Sequence, residues 1–199
     1  MAQLPFPVFL PPQKRRNEIL EANKMNSEKQ KQLIYGYCDA VGDLLRSDVV
    51  QQMRQYPHHK TVSTFHHSVY VSFLTYRLCN TLHLHTAEAT RAALLHDFYL
   101  YNWYVEKHGE YHVWYHPKTA VKNAEHYFGA LTERQKNMIL SHMFPLFVEP
   151  PKTKEAFVLT FADKIGATKD LIGLSKRYAP ILTEIETELK HRGNTCDHR

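Results

Sequence analysis

The sequence predicts an all-α fold, a single helical bundle preceded by a Pro-rich N-terminal arm. Three observations predict it. Apolar residues recur at helical spacing almost everywhere after about residue 28. The chain holds only 7 glycines, and it has no Asn-Gly or Asp-Gly pair of the kind that turns β-hairpins. At 199 residues and 43% hydrophobic content, it suits one domain with a substantial core.

Residues 1–28 are rich in proline and then in charge, and read as an extended arm. Helices are predicted at about 28–46 and 47–56, then at about 64–82, 86–98, 117–128, 132–142, 152–169 and 175–191. Thr86 is placed to cap the helix that follows it, Pro117 suits a first helical turn, and Thr132-Glu133-Arg134-Gln135 has the capping-box pattern. Pro145, Pro150 and Pro151 end the segment after His142. The helical domain is expected over 29–191, with 192–199 as a frayed tail.

Composition narrows the function classes. The formal charge of +5 at pH 7 suits an anionic ligand. Lys and Arg are scattered apart from Lys14-Arg15-Arg16, with no basic stripe interleaved with aromatics, so nucleic acid is not the expected partner. Cys38, Cys79 and Cys196 are odd in number and far apart, which fits neither a disulfide framework nor a Cys-x-x-Cys zinc site. A reducing cytoplasm is the expected setting. The segment Leu4-Pro5-Phe6-Pro7-Val8-Phe9-Leu10-Pro11-Pro12 lacks a basic leader and is not expected to act as a signal peptide. No apolar run approaches membrane-spanning length. The Pro-rich arm is a candidate for packing against a neighbouring subunit in a homo-oligomer.

Histidine is the compositional anomaly, with 14 in the chain. His58, His59, His83, His85, His108, His112, His126, His191 and His198 lie in polar or loop-like surroundings and read as surface or packing residues. The informative pair is His96-Asp97. In a helical reading Ala89, Ala92, Ala93 and His96 fall at i, i+3, i+4 and i+7, which puts an imidazole on the apolar stripe with a carboxylate beside it. A buried carboxylate needs a cation or strong hydrogen-bond partners.

Other segments supply such partners. His67 shares a stripe with Tyr70, Val71, Leu74 and Leu78; His142 follows Gln135, Met138 and Ile139; Asp163 lines up with Ala156, Leu159, Thr160 and Ala167; His116 precedes Pro117. His66 competes with His67, and His108 or His112 with His116. One histidine on an apolar face is more often a hydrogen-bonded core residue than a ligand, but six stranded polar residues on five segments favour a common site. Four imidazoles and two carboxylates suit a two-metal centre with open positions for water.

In the order His67, His96-Asp97, His116, His142 and Asp163, the segments His67-Ser68-Val69-Tyr70-Val71, Leu94-Leu95-His96-Asp97-Phe98, His116-Pro117-Lys118-Thr119-Ala120, Ser141-His142-Met143-Phe144-Pro145-Leu146 and Phe161-Ala162-Asp163-Lys164 resemble the HD-domain superfamily of metal-dependent phosphohydrolases, in its binuclear form. The resemblance covers about residues 50–170. It implies a first metal held by His67, His96, Asp97 and Asp163, and a second that shares Asp97 and adds His116 and His142. The metals would be iron, manganese, zinc or nickel, with magnesium as a further option.

The implied activity is hydrolysis of a small phosphorylated molecule, such as a nucleotide, by a metal-activated water in which Asp97 takes part. Lys164 and Lys118 are the candidates for phosphate contacts, and the aromatics between Phe98 and Tyr115 for a wall that stacks on a base. A di-iron oxygenase on the same ligands and a non-catalytic nucleotide- or metal-binding module are the alternatives.

Overall fold

The computed structural model of the chain describes residues 13–59, 62–109, 111–146, 149–174, 176 and 179–196. Among these residues eight α-helices surround one buried helix-lined core, and a single two-stranded hairpin is the only sheet. The helices are α1 (Gln13–Arg46), α2 (Asp48–Gln51), α3 (Thr64–Thr81), α4 (Thr86–Leu94), α5 (His112–Phe128), α6 (Glu133–Ser141), α7 (Lys154–Leu171) and α8 (Ala179–Cys196). The hairpin strands β1 (Pro57–His59) and β2 (Val62–Ser63) pair antiparallel just before α3.

The central element is α3. Phe65, His67, Ser68, Val69, Val71, Ser72, Phe73, Thr75 and Cys79 are all buried, which is more than one stripe and marks a helix enclosed on several sides. It packs chiefly on α4 and α7; α4 also meets α1 and α6, α6 meets α5 and α7, and α8 lies on α1. Small residues let these helices approach closely. Ala89, Ala92 and Ala93 of α4 are fully buried, and Ser72 Oγ of α3 donates to the Thr90 carbonyl across the contact at 2.9 Å.

Several boundaries differ from the predicted ones. Residues 13–28 are helical instead of extended, because this charged stretch holds neither glycine nor proline and is rich in good helix formers. The residues before Gln13 lie outside the described ones. The helix predicted over 47–56 is instead α2 followed by a 3-10 turn at Gln52–Gln55, which brings Val50 and Met53, three apart and both buried, onto one face. At the other end α8 reaches Cys196, so the first part of the predicted frayed tail is helical. Arg192 fastens it by hydrogen bonds to Asp39 Oδ1 at 2.5 Å and to the Tyr35 carbonyl at 2.9 Å. Residues 197–199 lie outside the described ones.

The helix starts carry their own polar network. Thr132 and Gln135 form the predicted capping box of α6, and Thr153 caps α7 by accepting from the Ala156 N–H. Thr86 does not cap α4. The N-cap is His85, and the Thr86 hydroxyl turns back to the Leu84 carbonyl. The carboxylate of Glu155 in α7 accepts from the His85 backbone N–H at 3.2 Å and from its Nδ1 at 2.9 Å. Burial pushes the Glu155 pKa up, but these bonds and the Arg134 guanidinium outweigh it and hold it at about 2. Glu88 accepts from Thr132 and Arg134, which joins α4 to the start of α6.

Candidate metal centre

The helix that leads to His96-Asp97 stops one turn earlier than predicted. In a continuing helix the Ala93 carbonyl would accept from the Asp97 N–H; here the His96 ring takes it, with Nδ1 2.8 Å from that oxygen. The chain then turns, and the Tyr99 N–H donates to the Asp97 carbonyl at 2.8 Å. His96 and Asp97 therefore stand beyond the C-terminus of α4, both buried. His142 is placed the same way at the end of α6, where its Nδ1 lies 2.6 Å from the Ile139 carbonyl. His116 lies inside α5, which starts at His112, so it is not at the helix entrance that Pro117 suggested. Pro117 sits in the body of the helix and is buried beside it. His116 Nδ1 is 2.7 Å from the His112 carbonyl.

A carbonyl oxygen only accepts, so all three rings carry their proton on Nδ1 and turn an Nε2 lone pair inward. Those lone pairs converge on Asp97. His116 Nε2 is 3.3 Å and His142 Nε2 3.6 Å from Asp97 Oδ1, while His96 Nε2 is 3.4 Å and His67 Nε2 4.0 Å from Asp97 Oδ2. Asp163 Oδ1 lies 3.1 Å from His67 Nε2 and 3.6 Å from His96 Nε2. All six residues that the sequence singles out as ligands are brought into this one cluster, from α3, the turn after α4, α5, the end of α6 and α7. The histidines left as alternatives by the sequence take different positions. His66 is half-buried and faces Ser63 and Arg54, and His108 stacks on Tyr115. His112 stacks on the outer side of His116 at 4.6 Å.

The donor set fits a divalent metal. His116 Nε2 and His142 Nε2 face each other at 2.9 Å. Two lone pairs at that distance repel unless a cation lies between them and the nearby carboxylate. His96 Nε2 and Asp97 Oδ1 are buried without a hydrogen-bond partner, although buried polar groups in folded proteins nearly always have one. Three groups, His67 with His96 and Asp163, His96 with Asp97 and His142, and His58 with His67 and Asp97, each bring ligand atoms within 4.8 Å of one another. Charge is divided across the cluster: burial works against protonation of His67 and His96, but the carboxylates of Asp163 with Asp170 and of Asp97 with Asp163 prevail and raise both in the absence of a metal. Burial works against an ionised Asp97, but His96 and the hydrogen bond from His58 prevail and hold its carboxyl well below the usual range. Burial and the nearby His142 push His116 well down, and burial with the nearby His96 brings His142 to about 4, so both are neutral, as metal ligands must be.

Two residues of the cluster escape the sequence reading. Asp170 accepts from His67 Nδ1 at 2.9 Å, the carboxylate–histidine arrangement that fixes a ligand's tautomer. It is seven residues after Asp163 and so on the same face of α7, a spacing that could have revealed it. Between them Gly166 lets the His67 ring lie against the helix: a Cβ there would stand 3.1 Å from His67 Cε1 and 2.8 Å from Val71 Cγ2. The other is His58, read as a surface or packing residue; its Nε2 is 3.2 Å from Asp97 Oδ2. It comes from a short hairpin with no periodic signal.

The two lysines separate. Lys164 Nζ donates to Asp163 Oδ2 and to the His142 carbonyl, both at 3.0 Å, so it holds a ligand carboxylate. Lys118 is exposed on α5. Two residues past His116 it lies about 200° round the helix, and the structure does not bring it to the cluster. Of the aromatics, Phe98 and Tyr99 are core residues. Tyr101, Trp103, Tyr111, Trp114 and Tyr115 line a cleft of about 750 Å³ together with His108 and His112. One of its lining residues, His112, stacks on His116 of the candidate centre.

Among the described residues no helix is long and apolar enough to cross a membrane. No curated protein and no solved structure matches the chain. A family model, the HD domain, matches residues 64–168, just over half of the sequence and the stretch that carries His67, His96, Asp97, His116, His142 and Asp163. The chain belongs to the HD domain family.

Proposed function

We propose that the protein is a metal-dependent phosphohydrolase that cleaves a phosphoester of a small molecule, with a nucleotide as the substrate class. The observation that carries this reading is the two-sided setting of Asp97: His116 and His142 face one carboxylate oxygen, and His96, with His67 behind it, faces the other. Such a setting supports a carboxylate that would be shared between two ions. Divalent ions held there by these residues would supply hydroxide from bound water at neutral pH and would draw charge off a phosphoryl group.

The protein's own residues prepare the site. Backbone carbonyls fix the tautomers of His96, His116 and His142, and Asp170 does so for His67. Lys164 positions Asp163. The aromatic cleft beside His112 supports a substrate with a flat ring, because base faces stack on Tyr, Trp and His. Deep burial of the carboxylates keeps bulk water from competing with the donors.

Protein purified without chelator is expected to carry up to two transition-metal ions per chain by elemental analysis and to hydrolyse a member of a phosphoester panel. Chelation should abolish turnover, and Asp97→Ala should lose both metal and activity. Retention of both by Asp97→Ala would refute the centre. Oxygen uptake by iron-loaded protein, with no phosphoester cleaved, would replace hydrolysis with oxygenase chemistry.

A further inference from the structure

We propose that His58 is a further ligand of the metal on the Oδ2 side of Asp97, so that the ion fastens the β1–β2 hairpin to the helical core. The inference rests on the metal centre described above and adds a residue from outside the helices that build it. His58 Nε2 is the nitrogen nearest to Asp97 Oδ2, at 3.2 Å, nearer than His96 at 3.4 Å or His67 at 4.0 Å. Its ring stacks on that of His67 with centroids 3.6 Å apart and planes 17° from parallel. Ligand atoms of His58, His67 and Asp97 fall within the 4.8 Å that one ion can span. The side chain is only 12% exposed, and its Nδ1 is buried without a hydrogen-bond partner. The imidazole lies between two buried carboxylates, with Nε2 3.2 Å from Asp97 Oδ2 and Nδ1 3.5 Å from Asp170 Oδ2, a place where an apolar side chain would leave both acids without this partner.

The hairpin gains from such an anchor. Its strands are three and two residues long, too short to hold together alone in water. The indole N–H of Trp103 donates to the carbonyls of Pro57 and His58, and the Thr64 N–H and hydroxyl both donate to the Tyr56 carbonyl. A bond from His58 to a metal adds a tether at its middle.

The test is titration of metal-free full-length protein with Mn(II), read by calorimetry and by hydrogen exchange of the segment 56–63. In the parent protein Mn(II) should bind and slow exchange in that segment. His58→Ala should bind one Mn(II) at least about tenfold more weakly and lose the Mn(II)-dependent protection, while His59→Ala behaves as the parent. His58→Glu, which restores a donor atom, should regain affinity, and His58→Gln, of the same shape but a poor ligand, should not. The Glu and Gln pair decides the matter should the alanine variant fail to fold. Parent-like affinity and protection in His58→Ala, or equal recovery by Glu and Gln, would overturn the proposal and leave the rest of the centre standing. Failure of the parent protein to take up Mn(II) would overturn the centre and this ligand together.

Discussion

At the scale of single residues, the centre is assembled by protons already committed elsewhere. Each of His96, His116 and His142 gives its Nδ1–H to a carbonyl three or four residues back, so its inward tautomer is set locally. His67 is different, because its Nδ1 partner, Asp170, lies 103 positions away. Asp170→Asn keeps the shape and weakens the bond; metal affinity should fall about 10- to 100-fold by calorimetry with the helix content unchanged. Gly166 is the other local requirement. Gly166→Ala would drive a Cβ into Val71 and His67, which should cost about 1–3 kcal/mol, visible as a lower midpoint in urea and as weaker metal binding. Wild-type stability in that variant would mean that α3 and α7 can move apart freely.

At the scale of elements, the starts of α4, α6 and α7 are coupled through charge. Glu155 of α7 sits at the start of α4 and, with Arg134 of α6 nearby, is held at about 2 where an ordinary glutamate titrates at 4.5. A carboxylate with a lowered pKa in the folded state stabilises fully above its unfolded value, and that contribution fades as pH falls from about 4.5 toward 2. Glu155→Gln should therefore be less stable than the parent at pH 7, and the difference should shrink toward pH 2. A stability gap that stays constant from pH 7 to pH 2 would remove ionisation as the cause. Helix ends are the part of these elements least legible in the sequence. The periodicity of α4 continues through His96, yet His96's own side chain ends the helix by taking the Ala93 carbonyl. Pro117 looks like a helix start, but α5 begins at His112, whose ring stacks on Trp103.

At the scale of the whole molecule, the centre gathers residues from positions 58 to 170, so binding a metal there joins segments that are far apart in the chain. Anything that binds only the folded form stabilises it by mass action, about 2.7 kcal/mol when the free ligand is at a hundred times Kd. Removing the metal with chelator should lower Tm by several degrees, and adding back Mn(II) should restore it; an unchanged Tm would mean that no ion ties these helices together. The bundle itself stands on apolar packing, with Tyr37, Leu44, Met53, Leu94, Phe98, Met138 and Leu159 among its fully buried side chains, and should remain helical without metal.

The sequence alone determined the helical class and most of the residues that cluster at the candidate centre, because both are written in local spacing: a polar residue on an apolar stripe announces itself within one helix. It also carried the order of residues that marks the family. Only the tertiary structure brings His67 and not His66, and His116 ahead of His112, against Asp97, since neighbouring or one-turn-apart histidines differ in which partner they meet across the core. The same reason explains Lys118, Asp170 and His58. Whether each stands at the centre depends on helix faces and on a hairpin meeting elements remote in sequence, and a one-dimensional pattern holds no record of that contact.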